Sequence, residues 1–395
     1  MKYNRYGELV YISRKDYQIK HMGYRIELFL VFFPQIVEGP IARFDLIGDS
    51  LYDGERNWNN VVVSMKKESV LNLVKSIVFL AIAVGIVILG CLVFQPKTSD
   101  PKGGLVNANA RAFYGELKDS LDVVVLGNSN AYSGYSPMYV WGKYGIPTYV
   151  AAEGGQNIVE TLDILNEILS CQKPKVVVLD VDLLWEGMNN TNRFEKDVQS
   201  LAETYIPLIR YHDRWKSMQA SDSFKSRSYT YRCISRGQYL SRKTMPYKGE
   251  DVMEESDGIE NIPSLSRFFL DKLVKRCREE SIDLVFVEFP TMQSWNYEKH
   301  NAMVKYTDEA DIEFLDMNLM TGKYKVNWST DTRDAGRHLN CYGARKTTSY
   351  LADYLTSNYA FEDKSRDSLY AEWNEAYKYY KRVLKKGKIY VTDDR

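Results

Sequence analysis

The chain reads as an α/β protein, a three-layer parallel sheet flanked by helices and preceded by one transmembrane helix. Three observations predict this. From Leu121 onward, short apolar runs rich in β-branched residues alternate with segments of helical periodicity. Strands separated by helices pair in parallel, with helices on both faces of the sheet. Ahead of them lies Ser76–Phe94, nineteen residues without a charge, close to the length needed to cross a hydrocarbon core of ~30 Å.

The 395 residues begin with a flank of mixed character. Residues 1–64 include the apolar stretch Leu28–Val37, which is too short to span a bilayer. The uncharged run 76–94 comes next. A buried helix of a soluble domain would carry a polar face over five turns. A cleaved signal would show a small-x-small site, which Phe94-Gln95-Pro96-Lys97 does not offer. A single-pass anchor is the reading. Lys66, Lys67 and Lys75 precede the run, while Lys97 and Lys102 lie beyond it. That slight bias favours a cytoplasmic N-terminus and an extracellular C-terminal domain. Residues 95–119 form a linker leading into the domain, rich at first in Pro, Gly and Asn.

The domain itself covers residues 120–362. Strands are expected at Asp122–Leu126, Pro147–Ala151, Lys175–Asp180, Asp283–Phe289 and Ile312–Asp316. Helices are expected at Asn157–Ser170, where Ile158, Leu162, Leu165, Ile168 and Leu169 share a face, at Leu265–Glu280, and at Tyr342–Leu355. Residues 186–262 break this rhythm and are expected to form a partly helical insertion overhanging the site. The tail, 363–395, contains an amphipathic helix at Ser365–Lys386. It either docks on its own domain or meets anionic lipid through Lys381, Arg382, Lys385, Lys386 and Lys388.

The charge balance supports this division. With 52 basic and 52 acidic residues the formal net charge is zero, which argues against a nucleic-acid binder. The zero is a cancellation: residues 1–75 carry net +2, 76–363 net −6 and 364–395 net +4. Thirty tyrosines suggest amphipathic side chains on surfaces and clefts. Cys91, Cys171, Cys233, Cys277 and Cys341 show no CxxC spacing, so separate thiols are expected, with pairing of the last four open if the domain is exported. No clustered His and carboxylate ligands are seen, so neither a metal nor a cofactor is expected.

The chemistry concentrates at two places. Val124–Pro137, VVLGNSNAYSGYSP, puts Ser129 on a strand-to-helix turn, where a nucleophilic hydroxyl is exposed above a sheet. Ser329–Leu355 presents Asp334 and His338 just ahead of a helix. A serine hydroxyl needs a base within hydrogen-bond reach, itself oriented by a carboxylate, and the chain supplies these in the order Ser, Asp, His. His21, His212 and His300 stand in other contexts. Trp185, Trp295 and Trp328 either line a sugar-binding cleft or pack at strand ends.

These residues resemble the SGNH (GDSL-type) hydrolase superfamily over roughly residues 120–358, implying an SGNH/flavodoxin-like fold. LGNSNAYSG resembles the first block and makes Ser129 the nucleophile. AAEGGQN, Ala151–Asn157, resembles the second, whose Gly donates a backbone N–H to the oxyanion, here Gly155. The last block is one residue longer than the family's Asp-x-x-His, which leaves Asp331 as a competitor of Asp334. The third block is displaced: Gly187-Met188-Asn189 lies beyond the strand end, so Asn130, Asn157, Asn189 and Asn190 are the candidates for its oxyanion donor. His338, Asn340, Gly343, Ala344 and Lys346 look closest to the extracellular branch that acylates cell-surface polysaccharide or teichoic acid. The N-terminal flank, with Phe33-Pro34-Gln35 and Gly39-Pro40-Ile41, resembles a fragment of a membrane-bound O-acyltransferase. Met65-Lys66-Lys67 would be a natural start for a second protein joined in frame to that fragment.

The resemblance implies a membrane-anchored serine esterase or O-acyltransferase acting on ester-linked acyl groups, with acetyl favoured, of a cell-envelope polysaccharide or teichoic acid. Its partners would be that substrate, the lipid bilayer and a separate membrane-bound O-acyltransferase, with no nucleic acid. The other reading is a non-catalytic, membrane-tethered binding or scaffold module for such an acyltransferase.

Overall fold

A computed structural model describes residues 2–3, 9–11, 67–99, 104–186, 193–216, 218 and 225–386. The segment resembling an O-acyltransferase falls outside them, apart from a two-stranded ribbon of β1 (Lys2–Tyr3) and β2 (Leu9–Tyr11). Asn189 and Asn190 also fall outside, as do Lys388 and the side chain of Lys386. The chain divides into two compact units, Met1–Leu89 and Gly90–Arg395.

Helix α1 (Lys67–Phe94) contains 24 residues, Leu71–Phe94, long and apolar enough to cross a membrane. Its Leu, Ile, Val and Phe side chains are largely exposed. It begins nine residues before the uncharged run because Glu68, Leu71, Leu73 and Lys75 are good enough helix formers to extend it.

In the second unit, short α2 (Ala108–Arg111) leads to β3 (Val123–Gly127). There follow α3 (Ser129–Gly134), α4 (Pro137–Tyr144), β4 (Thr148–Ala152), α5 (Ile158–Leu169) and β5 (Val176–Asp180). Next come α6 (Arg193–Tyr205), α7 (Pro207–Arg210), α8 (Ser264–Glu279) and β6 (Asp283–Glu288). The unit closes with α9 (Tyr297–Ala310), β7 (Glu313–Asp316), α10 (Cys341–Asn358) and α11 (Ala371–Lys386). Strands β3 to β7 form one parallel sheet in the order β4-β3-β5-β6-β7. The fold is therefore a doubly wound parallel α/β sheet. Its winding reverses between β3 and β5, and ligands of such sheets bind at the strand carboxyl ends beside that reversal.

Alternation along the strands builds two cores. Val124, Leu126, Tyr149, Val177, Leu179 and Phe286 face the layer of α5, α8, α9 and α11. Val123, Val125, Val150, Val178, Val285 and Val287 face the layer of α3 and α10. Strands β3, β4 and β5 are buried along their whole length, and β3 and β5 accordingly read as continuous apolar runs.

Residues 228–262 hold no regular helix or strand longer than a single bridge. Part of this stretch lines the edge strand β4, where the Val150 N–H donates to the Arg236 carbonyl. Another part straps the loop before α10: Met245 N–H donates to Thr332 O, and Ala335 N–H to Met245 O. Helix α11 docks on the domain by burying Trp373, Ala376, Tyr380 and Val383. The Trp373 indole donates to Glu116 Oε2 at 2.9 Å, and Tyr380 Oη lies 2.9 Å from Ser136 Oγ. Lys381, Arg382 and Lys385 lie on its outer side. The five cysteines are free thiols.

Candidate active site

Strand β3 ends at Gly127 and the chain turns at once into α3. The position admits only glycine: a Cβ there would stand 2.6 Å from both Ala131 Cβ and Asp180 Cβ. Asn128 caps α3, its Oδ1 accepting the Asn130 N–H at 2.8 Å. Ser129 is the first helical residue and sits at the carboxyl end of the strand next to the reversal.

The partner loop comes from the other end of the domain. Residues 331–339 fold back on themselves through the antiparallel bridge Thr332–Leu339 and the Arg333 N–H to His338 O bond of 3.1 Å. The tip is Ala335-Gly336, with φ of 58° and 89°. Two successive left-handed residues make a tight reversal, which accommodates the extra residue between Asp334 and His338. The reversal lets one carboxylate hold both groups of His338. Asp334 Oδ1 accepts the His338 backbone N–H at 2.7 Å, and Oδ2 lies 2.6 Å from ring Nδ1. On the far side of the ring, Nε2 is 2.8 Å from Ser129 Oγ.

The structure thus joins Ser129, His338 and Asp334 in one relay. Asp331 lies apart from it. It is buried and engages Lys346 Nζ at 2.6 Å, the Asn327 N–H at 2.8 Å and the Thr330 hydroxyl at 2.9 Å. Asn157 also serves elsewhere. It forms a capping box at the start of α5, accepting from Val159 and Glu160 N–H, and donates to Ser200 Oγ at 2.9 Å. Asn130 stays beside Ser129 but turns its amide onto Asp182 Oδ2 at 3.0 Å. Gly155 lies on the loop after β4 with φ of 67°.

Electrostatics suit a neutral base. Burial and the Arg333 charge hold His338 below its usual value of 6.5, against the opposing pull of Asp334. Burial would raise Asp334, but its bonds to His338 outweigh it and hold the carboxyl below the usual range. A neutral imidazole fixed by a carboxylate on Nδ1 presents Nε2 as the acceptor for the serine proton. The arrangement holds the groups that acyl transfer through a covalent serine intermediate requires.

Several surrounding groups were not evident from the sequence. Asp182, just past the end of β5, accepts from Asn128 Nδ2 at 3.1 Å, Asn130 Nδ2 at 3.0 Å and Ser294 Oγ at 3.2 Å. Burial raises its carboxyl above the usual range, opposed by Asn128 and Lys299. A carboxylate just beyond a buried strand was the available signal. Arg333 donates to Ser133 Oγ at 2.7 Å and Leu339 O at 3.0 Å, lies 3.8 Å from Asp334 and covers the Tyr239 ring. Deeper still, Glu288 is fully buried with neither carboxyl oxygen hydrogen-bonded, and burial pushes it well up. Trp185 and Trp295 are buried against each other, 5.6 Å between ring centres, and His300 pairs with Asp316 at 2.9 Å. Among the described residues, no three of His, Cys, Asp and Glu converge in a way that would hold a metal ion.

No protein-family profile matches the chain, and no curated protein matches it. Among solved structures it is similar to an acylhydrolase candidate from Bacteroides fragilis, with 12% identity, a TM-score of 0.34, and coverage of 63% of this chain and 94% of that one. It is also similar to a GDSL-like lipase from Bacteroides thetaiotaomicron, at 12% identity and a TM-score of 0.34, covering 66% and 99%. A G-D-S-L family lipolytic protein from Desulfitobacterium hafniense gives 12%, 0.32, 59% and 98%.

Proposed function

We propose that the chain is a membrane-anchored SGNH-type serine esterase or O-acyltransferase. The observation that carries this reading is the continuous relay from Asp334 through His338 to Ser129. Ser129 Oγ attacks an ester carbonyl as its proton passes to His338 Nε2. Asp334 holds the ring and stabilises the imidazolium. The backbone N–H groups of Ser129 and Gly155 are the proposed oxyanion donors. His338 then protonates the departing alkoxide, leaving an acyl-serine. Water as second acceptor gives an esterase, and a sugar hydroxyl gives a transferase.

The proposed substrate is an ester-linked acyl group, acetyl first, on a cell-envelope polysaccharide or teichoic acid. That choice rests on the motif around His338 and Asn340 and on the O-acyltransferase-like flank. Helix α1 is read as the anchor, with the catalytic unit outside the cell. The test uses the full chain in detergent. Ser129 is expected to take up a fluorophosphonate probe and to release acetate from p-nitrophenyl acetate, with Ser129→Ala losing both. An unlabelled Ser129, or undiminished turnover in Ser129→Ala, overturns the catalytic reading and favours the scaffold alternative.

A further inference from the structure

A helix leaves its last four carbonyls without intrahelical partners. At the end of α1 all four are met, two by the residues that follow the helix and two by Arg214. Cys91 O accepts the Gln95 N–H at 3.1 Å, and Leu92 O accepts Lys97 Nζ at 2.9 Å. Arg214 Nη1 reaches Val93 O at 3.1 Å, Phe94 O at 3.2 Å and Gln95 O at 3.1 Å. Arg214 is buried, and its cation complements the negative end of the helix dipole. Phe94 packs with Leu105, Ala108 and Tyr211. Residues 96–99 are equally tied. Thr98 bridges Ser228, Tyr229 Oη donates to Pro96 O, and the Tyr231 N–H donates to Ser99 Oγ. Residues 91–99, at the end of α1 and just past it, are therefore tied into the second unit, with no free tether at residues 95–99.

The helices α6 and α7, which precede the turn that holds Arg214, carry an apolar face. Ser200 and Arg210 fasten α6 and α7 to α5, through Asn157 and Asp163. On the side of α6 opposite Ser200 stand Val198, Ala202 and Tyr205, at helical spacing. Tyr205 is 72% exposed and Trp215 65%, with Val198 also exposed. Leu208 extends this face to the anchor, since a Cβ on Gly90 would lie 3.0 Å from its Cδ2. Exposed basic residues lie near it: Lys216, paired with Asp213, beside Trp215, and Lys225 and Arg227 just before Ser228, whose N–H donates to Lys97 O. Tyr and Trp with basic residues at the end of an apolar helix match the headgroup layer of a bilayer, where amphipathic rings are favoured.

We infer that the face of Val198, Tyr205, Leu208 and Trp215 is seated in the headgroup layer of the membrane that α1 enters. The occupant of this surface is lipid, because the face meets the end of the apolar helix at Leu208 and Gly90, with Lys225 and Arg227 exposed beside the residues that follow it. The domain then works at the membrane surface, and its substrate is one presented there. This rests on the reading of α1 as a spanning anchor.

The test reconstitutes the full chain into phosphatidylcholine vesicles containing phosphatidylglycerol, with and without brominated acyl chains. The difference emission between the wild type and Trp215→Phe isolates Trp215. It is expected to fall roughly twofold or more in brominated vesicles, while the protein resists alkaline carbonate extraction. Retention with an unchanged difference emission overturns the interfacial seat alone. Release into the carbonate wash overturns the spanning reading itself, and the seat with it.

Discussion

Ser129 and His338 lie 209 residues apart in the chain and 2.8 Å apart in space. Two local devices bring them together. Gly127 lets β3 turn directly into α3, and the left-handed Ala335-Gly336 pair folds the Asp334–His338 loop back on itself. Each device works at short range, and the parallel sheet places the two ends at one edge of the reversal.

Two aspartates near His338 are expected to behave differently. Asp334→Asn removes the ring's orienting carboxylate, and kcat should fall by about 10³–10⁴-fold with the fold intact. Asp331→Asn weakens the bonds of a buried carboxylate to the partly exposed Lys346, Asn327 and Thr330 and should cost about 1–3 kcal/mol of stability, with little change in kcat for the folded fraction. Steady-state kinetics beside urea unfolding checks both. A large kcat loss in Asp331→Asn with normal stability would exchange their roles.

The acid limb of the pH profile should report His338. Burial and Arg333 lower it, so the neutral base persists below the usual 6.5 and kcat/KM should decline only at lower pH. Arg333→Met removes a cation that disfavours the imidazolium, so the limb should move to higher pH. Its loss of bonds to Ser133 and Leu339 will lower the plateau, but the position of the limb is the readout.

Asp182 holds the amides on both sides of Ser129. Asp182→Ala leaves Asn128 and Asn130 without that acceptor in a buried place. The expected cost is about 1–3 kcal/mol, or roughly tenfold to a hundredfold in kcat if it falls on the reactive geometry. The rate of fluorophosphonate labelling of Ser129 measures it, and an unaltered rate would reduce Asp182 to a structural residue.

Glu288 predicts a pH dependence of stability rather than of rate. Its folded value is raised far above the ordinary 4.5 by burial. A raised carboxyl contributes stability that is full below about 4.5 and is lost as pH rises, because the unfolded state ionises first. Glu288→Gln should flatten that decline. Urea midpoints at about pH 5 and about pH 8 test it, and equal slopes in the two proteins would refute the assignment.

Much of the fold was legible locally. Val123–Leu126 and Val176–Leu179 are unbroken apolar runs because both faces are covered, and Ile158–Leu169 shows a clear stripe under an Asn cap. Helix α9 is not legible in this way, since only Ala302, Met303, Tyr306 and Thr307 are buried among polar neighbours. Nor are the short α3 and α4, because Gly134, Ser136 and Pro137 read as turn residues.

The sequence by itself determined the strands, the apolar helix, and Ser129 and His338, with Asp334 or Asp331, as the candidate groups for acyl chemistry. These depend on residue type and short spacing. Only the tertiary structure decided which aspartate faces His338, that Asn157 caps a helix, that Asp182 holds Asn128 and Asn130, and that Arg214 closes the end of α1. Those choices depend on which side chains the sheet order and the loop reversals bring within 3 to 4 Å, and no local pattern encodes that distance.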